Sequence, residues 1–135
     1  MNFEEVLWIH MFRILNSRYW SGSLKEVPVF KRSLSGQKLG QFVFTPEGFN
    51  SISLASNQDL TIAQALGVLL HEMCHVSVLE RYGPNVAAHG KEWQAEMRKV
   101  GFSGCISELT DGLGFFNHRM VKDIIKEYET VCNKR

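Results

Sequence analysis

A long apolar run near the middle of the chain constrains the fold more than any other feature of the sequence. Thr61 and Gln64 have the spacing of a helix capping box, and apolar residues then recur at helical spacing as far as Leu79. The run ends at Gly83-Pro84, where a conformationally permissive glycine precedes a residue that cannot continue a helix. The sequence therefore predicts a buried helix that begins after Thr61 and stops at this pair.

Three polar, titratable side chains interrupt the apolar run, in the segment His71-Glu72-Met73-Cys74-His75. Residues four apart on a helix share one face, with Cβ atoms about 5–6 Å apart, so His71 and His75 can converge on one zinc ion. Glu72 lies one residue further round the helix, and its longer side chain can still reach a water molecule. The alternative is an ordinary half-polar helix face, but polar groups are costly within so apolar a segment. We interpret the two histidines as metal ligands and Glu72 as a general base.

A catalytic zinc site usually has three protein ligands and one open position, so a third ligand is expected. The first histidine after the Gly83-Pro84 reversal is His89, which precedes a second predicted helix from about Gly90 to Val100. The positive end of that helix favours a neutral imidazole, the form that binds metal. Glu92 and Glu96 are rival ligands, and both could instead be exposed helix acids. We prefer His89.

The other elements predict an α+β domain with a helix, a small sheet and then further helices. We expect a first helix from Asn2 through Leu15, an edge strand at Val27–Lys31, strands at Gly40–Thr45 and Ser51–Ala55 (the latter half-exposed), a loop at 101–116 and a last helix capped by Asn117. Neither a repeat nor a linker divides the chain. We therefore expect one domain over residues 1–135.

The composition is that of an ordinary folded protein, with 44% apolar and 21% charged residues and a net charge of +1. A metal would therefore serve chemistry rather than hold the fold together. The cysteines, Cys74, Cys105 and Cys132, are odd in number and form no C-x-x-C pair, which indicates a reducing compartment. The acidic N-terminus is unlike a signal peptide, and no apolar run approaches the ~20 residues of a membrane span. We expect a cytoplasmic protein without a membrane partner.

Basic residues cluster in the stretch 13–40, where six lysines and arginines accompany the single acid Glu26. Tyr19, Trp20 and Phe30 are interleaved with them. This pattern is typical of a surface that faces a polyanion such as DNA, with Tyr19 and Trp20 as base-stacking groups. It is as typical of a solvated basic face. The stretch is thus a candidate DNA contact.

Other polar residues are weaker candidates for a role. His10 and His118 lie on the first and last predicted helices, where packing or solvation accounts for them. Arg81, Tyr82 and Tyr128 could each stabilise an oxyanion, but the sequence does not select among them.

The segment from His71 to His75, followed by His89-Gly-Lys-Glu-Trp93 and Met97, resembles the SprT-like (Spartan-type) metallopeptidase domain. That family pairs an H-E-M-x-H helix with a downstream H-G-x-x-[FW]-x-x-x-M segment, and the resemblance is specific over residues 61–101. It implies a minimal zincin-like α+β fold with a small antiparallel or mixed sheet. It also implies Zn2+ bound by His71, His75 and His89, with Glu72 as the catalytic acid/base.

The resemblance further implies cleavage of protein or peptide substrates, which in some members are attached to DNA. Many relatives carry a C-terminal zinc ribbon or another DNA-binding appendage, whereas residues 102–135 contain only Cys105 and Cys132 as potential thiol ligands. We therefore expect a zinc-dependent endopeptidase. The alternative is a catalytically silent binding module or adaptor that grips DNA or a protein partner.

Overall fold

The computed structural model describes residues 1–102 and 115–133. They form a 3-10 turn Phe3–Glu5, helix α1 Trp8–Trp20, strands β1 Val29–Arg32, β2 Gly40–Val43 and β3 Ser51–Ala55, and helices α2 Ile62–Tyr82, α3 Lys91–Lys99 and α4 His118–Cys132. The predicted α+β class is confirmed, and so is the order of the described elements. Cys105 and most of the predicted loop 101–116 lie outside the described residues.

Helix α2 is the centre of the fold and has the predicted limits. The Thr61 hydroxyl accepts from the Gln64 N–H, and the Gln64 side chain accepts from the Thr61 N–H, which completes the capping box. At the other end Gly83 has a φ of +77°, a conformation that glycine adopts without strain, and its N–H donates to the Leu79 carbonyl. Local sequence signals therefore define both ends of this helix.

The apolar character of α2 is greater than we expected from the sequence. Its 21 residues reach the length and mean hydropathy (1.4) of a membrane span, although 72% of that apolar window is buried inside the fold. A helix that is apolar on nearly every side needs such cover, and here the sheet and the other helices provide it.

The sheet is mixed, with strand order β1-β3-β2, β1 parallel to β3 and β2 antiparallel to it. The edge position predicted for the first strand is confirmed. The prediction that β3 is half-exposed is wrong, because β3 is the central strand and every residue from Ile52 to Ala55 is buried, including Ser53. Strand β2 forms the opposite edge among the described residues.

The predicted first helix is interrupted. The Asn2 side chain caps only the 3-10 turn, and the backbone is extended at Val6 and Leu7 before α1 begins at Trp8. The Leu7 N–H donates to the Tyr128 hydroxyl on α4 at 2.9 Å. This long-range contact satisfies a backbone donor that a continuous helix would have used, and local spacing gives no sign of it.

Candidate metal centre

Two elements bring three histidines together. Helix α2 presents His71 and His75 one turn apart, and the segment between α2 and α3 returns His89 to the same place. The Nε2 atoms of His75 and His89 lie 3.1 Å and 3.3 Å from Nε2 of His71. One ligand atom from each residue falls within 4.8 Å of the other two. The three histidines singled out from the sequence therefore form one cluster.

The spacing of these nitrogens fits a metal ion. Nitrogens about 2.0–2.1 Å from one tetrahedral ion lie about 3.3–3.4 Å from one another. The separations of 3.1 Å and 3.3 Å from His71 are close to that value. Three imidazole nitrogens are also a ligand set that divalent transition metals bind readily. The cluster could thus hold a metal ion.

Burial keeps two of the three imidazoles, those of His75 and His89, neutral. Burial, followed by the neighbouring His71 and His89 rings, lowers the pKa of His75 to about 3. Burial also lowers the pKa of His89 below its usual value. An unprotonated nitrogen is required of a metal ligand, so at neutral pH these two rings are ready to bind.

A carboxyl group lies beside the histidines. Glu72 is only 5% exposed, and burial raises its pKa to about 8. With His71, His75 and His89 it lines a cavity of about 920 Å³ between α2, the β2 region and residues 83–89. A carboxyl group whose pKa lies near neutrality can both take up and release a proton there.

Strand β2 approaches this part of α2 very closely at Gly40. A Cβ atom added there would lie 2.5 Å from Cγ1 of Val68 and 3.4 Å from Cγ of Glu72. The first distance is shorter than a carbon–carbon contact can be, so a side chain at this position would force either the buried Val68 side chain or β2 to shift. The absence of a side chain at Gly40 thus permits the close approach of β2 to α2 beside Glu72.

We expect Gly40→Ala to lower the free energy of unfolding by about 1–3 kcal/mol, as is usual when a packed contact is overfilled. Urea unfolding measures this change. Gly48→Ala is a reference for glycine replacement, because a Cβ there meets nothing within 4 Å, although its φ of +84° adds backbone strain. If Gly40→Ala is as stable as the wild type, the close approach of β2 to α2 is contradicted.

Glu96, which the sequence left open as a rival ligand, lies outside the cluster. It is 4% exposed and accepts hydrogen bonds from Trp20 Nε1 at 2.6 Å and Ser77 Oγ at 2.8 Å. Arg81 forms an ion pair with its other oxygen at 3.3 Å. The prediction that Glu96 is an exposed helix acid is wrong, because these donors compensate its burial. Glu92 is half-buried and is not part of the cluster either.

From the sequence, Trp93 has no role of its own beyond the aromatic position in the segment His89-Gly-Lys-Glu-Trp93. The structure places its indole against all three histidines, with ring centroids 4.6–5.3 Å apart. The available signal was its spacing of four residues from His89, but spacing alone does not distinguish such a contact from ordinary packing.

The structure also assigns contacts to the weaker candidates. Arg81 forms an ion pair with Glu96, and the Tyr128 hydroxyl accepts a hydrogen bond from the Leu7 N–H. Tyr82 is 54% exposed. The His10 ring is 6.3 Å from that of Tyr128, and His118 is exposed. These residues do not line the cavity beside the histidines.

The basic stretch 13–40 is partly neutralised. Three of its cations form ion pairs with acids, Arg13 with Glu26, Arg18 with Glu127 and Lys31 with Glu4. Trp20 is buried, so it does not offer a face on which a base could stack. Tyr19 is half-buried against Trp20 and Phe115.

Comparison with known families gives a match that covers most of the chain. Residues 9–111 match the model of the SprT-like family, a span that includes α1 except for Trp8, the three described strands, α2, α3 and all three histidines. No curated protein matches the chain.

Proposed function

Because the chain belongs to the SprT-like family, which comprises metallopeptidase-like domains, we propose that it is a zinc-dependent endopeptidase with a zincin-like fold. The observation that carries the proposal is the convergence of His71, His75 and His89 beside the buried Glu72 in one cavity. Three histidines are one of the ligand sets of catalytic zinc, which keeps a fourth position open.

In this mechanism the three histidines hold the zinc ion. When bound, zinc acts as a Lewis acid and lowers the pKa of water in its open position. Glu72 takes a proton from the attacking water and later returns it to the leaving amine. Burial raises the pKa of Glu72 to about 8, so the protonated form, which can donate to the leaving amine, predominates near neutral pH. The positive charge of a zinc ion held beside it would favour the carboxylate that the first step needs.

The cavity favours a peptide as substrate. Its volume of about 920 Å³ is ample for several side chains, and apolar residues such as Phe42, Val78 and Val86 contribute to its walls. Strand β2 lines it and is an edge strand among the described residues. An extended substrate can therefore add a strand beside β2 and leave its scissile carbonyl next to Glu72.

The test combines zinc stoichiometry with proteolysis. We expect one zinc per chain and cleavage of casein or of the chain itself. One zinc without cleavage of any substrate would instead favour a silent binding module, and a chain that binds no zinc would refute the proposal.

A parallel assay with single-stranded DNA addresses the basic stretch 13–40. Its six basic residues are Arg13, Arg18 and Lys31, which form ion pairs, and Lys25, Arg32 and Lys38. Stimulation by DNA would place the substrates among DNA-bound proteins.

Chelation is expected to abolish cleavage while the fold persists. The apolar core includes buried residues of α1, β3, α2, α3 and α4, so it does not depend on the metal centre. Loss of a bound ion should lower the melting temperature without unfolding the chain. Far- and near-ultraviolet circular dichroism before and after chelation measures the outcome. Unfolding on chelation would show that the zinc is structural.

A further inference from the structure

The indole of Trp93 contacts the whole metal centre. Its centroid lies 4.8 Å from that of His71, 5.3 Å from that of His75 and 4.6 Å from that of His89. It stacks on the His75 ring with an interplanar angle of 15°, and it meets the His89 ring nearly edge-on at 69°. Trp93 is fully buried, and its Nε1–H donates to the His71 carbonyl at 3.4 Å. One rigid ring is thus shared by all three candidate ligands.

The position of Trp93 is itself determined by a buried anchor. Glu96 follows it by one turn of α3 and accepts hydrogen bonds from Ser77 on α2 and from Trp20 on α1. Charge-assisted hydrogen bonds of this kind are stronger and more directional than neutral ones. Glu96 therefore holds α3 against α2 at the level where the indole meets the histidines.

His89 depends on this support more than the other two ligands do. His71 and His75 belong to a long helix, whereas His89 is an exposed residue in the segment that joins α2 to α3. The structure gives it the Trp93 ring on one side and a hydrogen bond from Gln94 Nε2 to its carbonyl at 2.9 Å. Without the indole, the His89 ring would keep only its contacts with the rings of His71 and His75, so metal binding would have to order more of its side chain at a cost in conformational entropy.

We propose that Trp93 is the positioning residue of the metal centre, and that its ring packing holds His71, His75 and His89 in the converged arrangement that binds the ion. This inference rests on the proposed metal site and extends it to a residue that is not a ligand. Groups that orient metal ligands typically change metal affinity by 10–100-fold when they are removed.

The test is zinc affinity, measured by competition with a chromophoric chelator and without any substrate. We expect Trp93→Leu to weaken zinc binding by about 10–100-fold, and Trp93→Phe, which keeps a ring, to restore most of the affinity. Equal affinity of folded Trp93→Leu and the wild type would overturn the proposal. Wild-type protein that binds no zinc would refute the metal site as well, whereas zinc binding without proteolysis would leave this inference intact.

Trp8→Leu is a matched control. Trp8 is also a buried tryptophan whose Nε1–H donates to a carbonyl, that of Phe3, but it lies among core residues away from the histidines. Its replacement should lower stability and leave zinc affinity unchanged. An equal loss of affinity in both variants would show that Trp93 acts through general stability, against the proposal.

A spectroscopic measurement covers the case in which Trp93→Leu does not fold. Copper(II) bound by the three histidines should quench the fluorescence of the contacting indole in the wild-type protein. Trp93→Phe, which retains Trp8 and Trp20, should lose most of this quenching. Equal fractional quenching in the two proteins would contradict the contact between the indole and the metal ligands.

Discussion

Glu72→Gln is expected to reduce peptide cleavage by about 10²–10⁴-fold, the usual contribution of a general base, while one zinc per chain remains bound. Glutamine has nearly the same shape but cannot take up the proton that the reaction releases. The zinc content should persist because the proposed ligands are His71, His75 and His89. Initial rates of casein cleavage, together with metal analysis of the same samples, measure both effects.

Glu92→Gln provides the control for this substitution. Glu92 is a half-buried acid close to the metal centre in sequence, but it does not belong to the histidine cluster. We expect its replacement to leave the rate within about twofold of the wild type, as for surface substitutions away from structural features. Full activity of Glu72→Gln would refute Glu72 as the general base. Loss of zinc from that variant would instead make Glu72 a ligand.

Glu96→Ala is expected to lower the free energy of unfolding by about 3 kcal/mol. Its removal leaves the Trp20 indole N–H and the Ser77 hydroxyl as buried donors without their acceptor, each at a cost of about 1–3 kcal/mol. The Arg81 side chain is 45% exposed, so water can replace its half of the ion pair and it adds little. Urea denaturation with a constant m-value measures the change.

A conservative variant and a distant one separate the causes of this loss. Glu96→Gln retains an acceptor oxygen and should cost only about 1 kcal/mol, the net value of one hydrogen bond. Glu129→Ala removes an exposed acid from α4 and should change stability by less than about 0.5 kcal/mol. If Glu96→Ala unfolds at the same urea concentration as Glu129→Ala, the hydrogen bonds to Glu96 do not stabilise the fold.

Most of the fold could be predicted where the information is local. Capping pairs and turn residues lie within a few positions of the helix ends they define, as at Thr61 and Gly83, and the Asn117 side chain accepts from the Met120 N–H at the start of α4. The predictions were wrong where contacts between residues distant in the sequence determine the local structure. The Tyr128 hydroxyl accepts a hydrogen bond from the Leu7 N–H at the point where the predicted first helix is interrupted. Ser53 is buried because β3 is the central strand of the sheet.

The domain extent, the cytoplasmic location and the DNA contact stay predictions. The fold constrains the last of these, since Trp20 donates to Glu96 and is not available for stacking. A basic composition records how many charges a segment carries. It does not record which of them already face an acid in the folded chain, as Arg18 faces Glu127 across more than a hundred residues.

The sequence by itself determined the H-E-x-x-H helix, because a spacing of four residues puts His71 and His75 on one face of any helix and periodicity is a local property. It also suggested His89, but Glu92 and Glu96 were still alternatives. Only the tertiary structure separates them, because it brings His89 into the cluster with His71 and His75, whereas Glu96 is buried and bonded to donors on α1 and α2. The contacts of Trp93 with the three histidines also come from the tertiary structure, because contacts between α3 and α2 arise from packing that no local pattern encodes.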